Sequence, residues 1–243
     1  MWEVFIDNKL YPTYICELFA AIAGVYYLKK NPKRGKDDRL LVYYLVFIFI
    51  FDLLAITYGL YGFVYDFKYL EFIKGTPFES HIWIYNVLAL ITTTAYTVYF
   101  LMQLESTRMK KVLLILVWVF IITSIFSYLY GDAFFIGTSP YAYIFGAFLI
   151  SFSIGVYYLE LIRSERILKF YDELALYISI GLLLYKLSMT PLFIFQRYIG
   201  TNSDFDEIFN WILKAANIFM YSVFVFGFLR NAYREKREYK LTG

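Results

Sequence analysis

One cysteine and one histidine in 243 residues exclude most metal and redox chemistry at the outset. A lone Cys16 forms no disulfide within its own chain, and with His81 it cannot build the Cys/His sets that hold structural zinc, iron–sulfur clusters or covalent haem. No cofactor or metal is therefore expected. Charge is scarce as well: Asp, Glu, Lys and Arg make up 18% of the chain, against roughly 25% in an average soluble domain. The formal net charge of +3 is too small to point to a nucleic-acid partner.

What fills the chain instead is apolar and aromatic. Hydrophobic residues account for 60% of it, including 26 Tyr and 26 Phe, and the mean hydropathy is +0.56. One small core cannot hide that much apolar surface, so the solvent is lipid. A helix needs roughly 20 residues to cross a hydrocarbon core of about 30 Å. Seven runs meet that length, at 11–28, 40–65, 82–104, 112–130, 140–162, 174–198 and 208–229. They are continuously apolar, whereas barrel strands alternate, so the expected fold is an all-α seven-transmembrane helix bundle. No connection is long enough for a soluble domain, and residues 1–243 read as one domain. Glu3 and Asp7 precede the first run where a signal peptide would be basic, so it reads as an uncleaved span.

The loops 29–39, 105–111 and 163–173, with the tail from Arg230, carry seventeen Lys and Arg; the opposite side carries Lys9, Lys68, Lys74 and Arg197. By the positive-inside rule the N-terminus faces out and the C-terminus in, across a plasma or inner membrane. The basic loops and tail suit anionic headgroups or a cytoplasmic protein partner. Tyr pairs near span ends, such as Tyr26-Tyr27 and Tyr157-Tyr158, read as interfacial anchors. The string Gly24-Val25-Tyr26-Tyr27-Leu28 recurs as Gly155-Val156-Tyr157-Tyr158-Leu159, as in two parallel three-helix units joined by a fourth helix.

Ionisable residues at membrane depth mark candidate sites. Asp52 and Lys186 each lie 12 residues into spans entering from the basic side, about 18 Å deep. Glu17 and Lys214 each lie 6 residues into spans entering from the other side, about 9 Å deep. If the helices close into a ring, Asp52–Lys186 and Glu17–Lys214 pairs are sterically open. They either neutralise each other or form a polar ligand or ion pathway. Asn86, and Asn217 one turn beyond Lys214, are further candidates for that pathway, and Pro191 in the sixth span is a kink or hinge.

The three-plus-one-plus-three outline resembles the sugar-exporting and PQ-loop transporters, although their Pro-Gln pair is absent here. Glu17-Leu18 with the small residues up to Tyr27, the Tyr85-Asn86 pair opening the third span, and Pro191 are similar to small seven-span membrane proteins of Bacteroidota. That resemblance implies a membrane protein of no assigned chemistry. A Lys in the seventh span is also a feature of microbial rhodopsins, though Asn210 stands where that family has an acid. Intramembrane hydrolases of the adiponectin-receptor kind need several His, and His81 is alone. The expectation is thus a non-catalytic, receptor-like module with a small-molecule ligand, or alternatively a small secondary transporter or proton-coupled carrier.

Overall fold

The computed structural model describes residues 5–6, 11–130, 133–137, 139–199 and 203–242, and the side chains of all of these except 133, 196–199, 203–204 and 235–242. Lys9, counted above for orientation, lies outside the described residues, as do the side chains of Arg197, Lys236, Arg237 and Lys240. Seven long helices follow one another: α1 (Tyr11–Lys30), α2 (Lys36–Tyr65), α3 (Ile82–Gln103), α4 (Thr107–Tyr130), α5 (Pro140–Arg163), α6 (Leu174–Ile199) and α7 (Ser203–Thr242). Short 3-10 turns and one four-residue helical turn fill the connections, and the described residues contain no strand.

Six of these helices, α2 to α7, are long and apolar enough to cross a membrane. The first falls outside that set: α1 opens with Tyr11-Pro12-Thr13-Tyr14 and carries Glu17 in its second turn. The large exposed apolar side chains of α4, among them Ile115, Trp118, Ile122 and Phe126, face outward, as lipid-facing residues do. The fold is that of an all-α, multi-pass membrane protein.

Helix neighbours form a closed ring in the order α1, α2, α3, α5, α6, α7 and back to α1, with α4 packed outside against α3 and α5. In that ring α1 stands opposite α5, α2 opposite α6 and α3 opposite α7. This adjacency is the one that two parallel three-helix units related by a two-fold axis would produce. The identical pentapeptides do not share a packing role within it. Gly24 is buried against Val42 and Phe228, whereas Gly155 faces open space.

Close approach is set by small residues. A Cβ at Gly227 of α7 would stand 2.7 Å from Cβ of Tyr177, and one at Gly181 of α6 would stand 2.8 Å from the Phe224 ring, so these two helices meet through glycine on both sides. The interior is filled by aromatics: Tyr96 of α3 reaches the Phe224 ring across the bundle at 6.3 Å, and Phe100 packs on Tyr157 of α5 at 5.8 Å.

Helix ends at the basic-loop side are tied together by side chains. Glu160 of α5 accepts the backbone N–H groups of Glu105 and Ser106 at 2.7 and 3.2 Å, capping the start of α4. Arg166 grips Glu173 through Nε and Nη2 at 3.0 and 2.8 Å, which raises its basicity further, and Arg234 of α7 holds Asp172 at 2.9 Å. At the other end, Asp66 turns into the left-handed region with φ 46° and its N–H caps Gly62. That turn lays the Phe67 ring on Gly62, where a Cβ would stand 2.5 Å away.

Gly227→Ala should push α6 from α7 and lower stability by about 1–3 kcal/mol, while Gly155→Ala should cause no loss. Thermal unfolding midpoints of both variants in one detergent check this, and an equal response would sink the close-packing account.

Candidate functional site

Glu17 sits in the second turn of α1 with only 1% of its surface exposed, because α7 lies directly over it. Its Oε1 accepts a hydrogen bond from the Tyr221 hydroxyl at 3.0 Å. Asp52, half-buried in the middle of α2, lies within electrostatic range of Glu17 and of the hydroxyls of Tyr14, Tyr85, Tyr143 and Tyr185. The Tyr14 and Tyr85 hydroxyls lie within electrostatic range of each other. Tyr44 donates to Thr92 Oγ1 at 2.9 Å and its ring meets Tyr96 edge-on at 5.0 Å. Each of the six ring helices therefore supplies at least one tyrosine to an interior that also holds two carboxylates.

The two expected acid–base pairs do not form. Glu17 is bonded to Tyr221 rather than to Lys214, which lies seven residues earlier on α7, about 10 Å along the axis. No ion pair joins Asp52 to Lys186 among the described residues, and the Lys186 ammonium stands 5.7 Å from the centre of the neighbouring Tyr185 ring. The physical reason is azimuth: matching depth places two groups on one level, but α2 and α6 are opposite members of the ring, with the Tyr96 and Phe224 rings packed in the interior.

Two other candidates are engaged with backbone. Asn86 is fully buried; its Nδ2 donates to the carbonyls of Phe134 and Gly137, both at 3.0 Å, and its Oδ1 accepts from Ser139 N–H at 3.1 Å. Tyr128 donates to the Asn86 carbonyl at 2.9 Å. Both amide donors are thus taken, and the residue anchors the connection between α4 and α5 instead of facing a pathway. Asn217 donates back to the Leu213 carbonyl at 3.0 Å, one turn earlier on its own helix. Pro191 lies exposed on α6, which continues as a helix through it to Ile199.

Two carboxylates at this range repel each other unless a proton or a cation lies between them, and aromatic faces favour cations further. The arrangement suits binding of a proton, an ammonium group or a hydrogen-bond donor. Reading tyrosines as interfacial anchors concealed this ring of hydroxyls. The available signal was position: Tyr96, Tyr185 and Tyr221 fall well inside their apolar runs. No family model, curated protein or solved structure matches the chain.

Tyr221→Phe should cost about 1–3 kcal/mol by leaving a buried carboxylate without its donor. Combined with Glu17→Gln, the losses should be non-additive by about 1 kcal/mol or more. Thermal denaturation of the two singles and the double decides it, and additive losses would mean that the bond contributes nothing.

Proposed function

We propose that this protein is a non-catalytic, receptor-like membrane module that binds a small cationic or hydrogen-bond-donating ligand inside its helical ring. The observation that carries this reading is the pair Glu17 and Asp52, facing one tyrosine-lined interior with no lysine or arginine among the described residues bonded to either. Short loops leave little room for a separate catalytic domain, so recognition belongs to the helices and their mouths. In this reading α1 is the seventh span, about 30 Å long at 1.5 Å per residue, and the basic loops and tail face the cytoplasm of a plasma or inner membrane, where a protein partner would read the ligand state. Kinship with the small seven-span proteins of Bacteroidota belongs to the same proposal.

A specific observation favours a second reading. The adjacency of α1–α3 and α5–α7, with α4 outside, is the layout of carriers built from two parallel repeats, in which one unit rocks against the other.

A ligand that binds only the folded chain raises its melting point, by the logarithm of its concentration over Kd. A panel of primary and quaternary amines should contain at least one that raises it for the parent protein and not for Asp52→Asn. If no amine does so, or if Asp52→Asn responds equally, the proposed site is wrong. Single cysteines in a Cys16→Ser background, probed with an impermeant maleimide from either face, test topology and turnover together. Residue 35 should react only from inside; reaction at residue 52 from both faces would establish the carrier, from one face the sensor. Labelling of residue 35 from outside would overturn the orientation.

A further inference from the structure

At the basic-loop end, away from the tyrosine ring, a cavity of about 600 Å³ opens between the two three-helix units, a size that suits a small molecule. Its two walls differ in charge chemistry. On the side of α2 and α3, Asp37 Oδ2 accepts from Gln103 Nε2 at 2.7 Å and Asp38 Oδ2 accepts from the Tyr27 hydroxyl at 2.5 Å. Both of these donors are neutral, so the bonds position the carboxylates without cancelling them, and Arg34 above the Tyr27 ring is the cation of this wall. On the side of the 165–175 stretch, Glu173 is matched by Arg166 and Asp172 by Arg234, while Lys169 and Glu165 stand at the exposed rim.

Outside the cavity lining, the buried hydroxyls of Tyr99 and Tyr157 have no hydrogen-bond partner among the described residues, with Tyr99 0% and Tyr157 1% exposed. Tyr99 lies within electrostatic range of Asp37 and Asp38, and Tyr157 within range of Arg166 and Glu173, one beneath each wall.

We infer that this cavity binds a small zwitterion, its ammonium toward Asp37 and Asp38 and its carboxylate or phosphate toward Lys169. Two sources present that chemistry: free amino acids in the aqueous phase and the ethanolamine headgroup of a phospholipid.

Calorimetric titration of the full chain in phosphatidylcholine nanodiscs tests this with glycine, γ-aminobutyrate, glutamate and glycerophosphoethanolamine as probes. At least one should bind saturably, and its N-acetylated and esterified or amidated forms should bind at least tenfold more weakly. Lys169→Gln, on an exposed side chain that the fold does not need, and Asp37→Asn should each weaken binding at least fivefold. Asp52→Asn should leave it unchanged, which separates this site from the one inside the ring. Binding by glycerophosphoethanolamine alone assigns the headgroup, and binding by an amino acid assigns the free metabolite. Absence of binding by all four probes overturns the inference, as does equal binding of the blocked forms or indifference to both substitutions.

Discussion

A carboxylate inside an apolar helix has no water to solvate it, and Glu17 therefore constrains everything around it. Its partner, the Tyr221 hydroxyl, is more than two hundred residues away in sequence, so the bond forms only if α7 returns to lie along α1. Once it does, Tyr27 meets Phe228 at 5.7 Å and Tyr26 meets Tyr233 at 6.4 Å, and the seam is closed over several turns. With that seam closed, α4 lies outside the ring, presenting Ile115, Trp118, Ile122 and Phe126 on its outer face.

Polar groups at other depths are handled differently. At one end Asn86 places its whole amide on the backbone of the α4–α5 connection, and at the basic-loop end Arg166 and Arg234 match the acids of the 165–173 stretch. These are closed arrangements, in which donors and acceptors balance. The ring interior and the basic-loop cavity are not balanced in that way: Glu17, Asp37 and Asp38 are each held by a neutral donor. Imbalance of that kind is costly for a fold to keep unless something else completes it.

The long helices were legible because continuous apolar runs allow little else in lipid, and their bounds agree to within a few residues wherever the run itself sets the end. α7 was the exception: it continues from residue 203 to residue 242 because the charged tail is helical without being apolar. The 3-10 stretch Glu165–Asp172 and the left-handed turn at Asp66 were not legible, since both are fixed by tertiary contacts of short segments. The neighbours α1 and α7 followed from closing a ring, but the acid–base pairs did not. Sequence position gives depth at 1.5 Å per residue and says nothing reliable about which way a mid-span residue turns once the helices are packed. For the same reason the turn of Tyr96 and Tyr221 toward the interior was not legible in their positions.

The ring is symmetric in its neighbours but not in its charges. Of the four ionisable candidates, Glu17 and Asp52 belong to the α1–α3 unit and Lys186 and Lys214 to the α5–α7 unit. The repeated pentapeptide shows the same divergence, since Gly24 is packed where Gly155 is open. A scaffold whose two halves contact each other alike therefore presents one acidic wall to its interior. If the halves move relative to each other, the charge that a ligand meets moves with only one of them. Rocking then changes the distance between the acidic wall and the opposite tyrosines, and this couples occupancy of the interior to the position of the α5–α7 unit without requiring an ion pair to break.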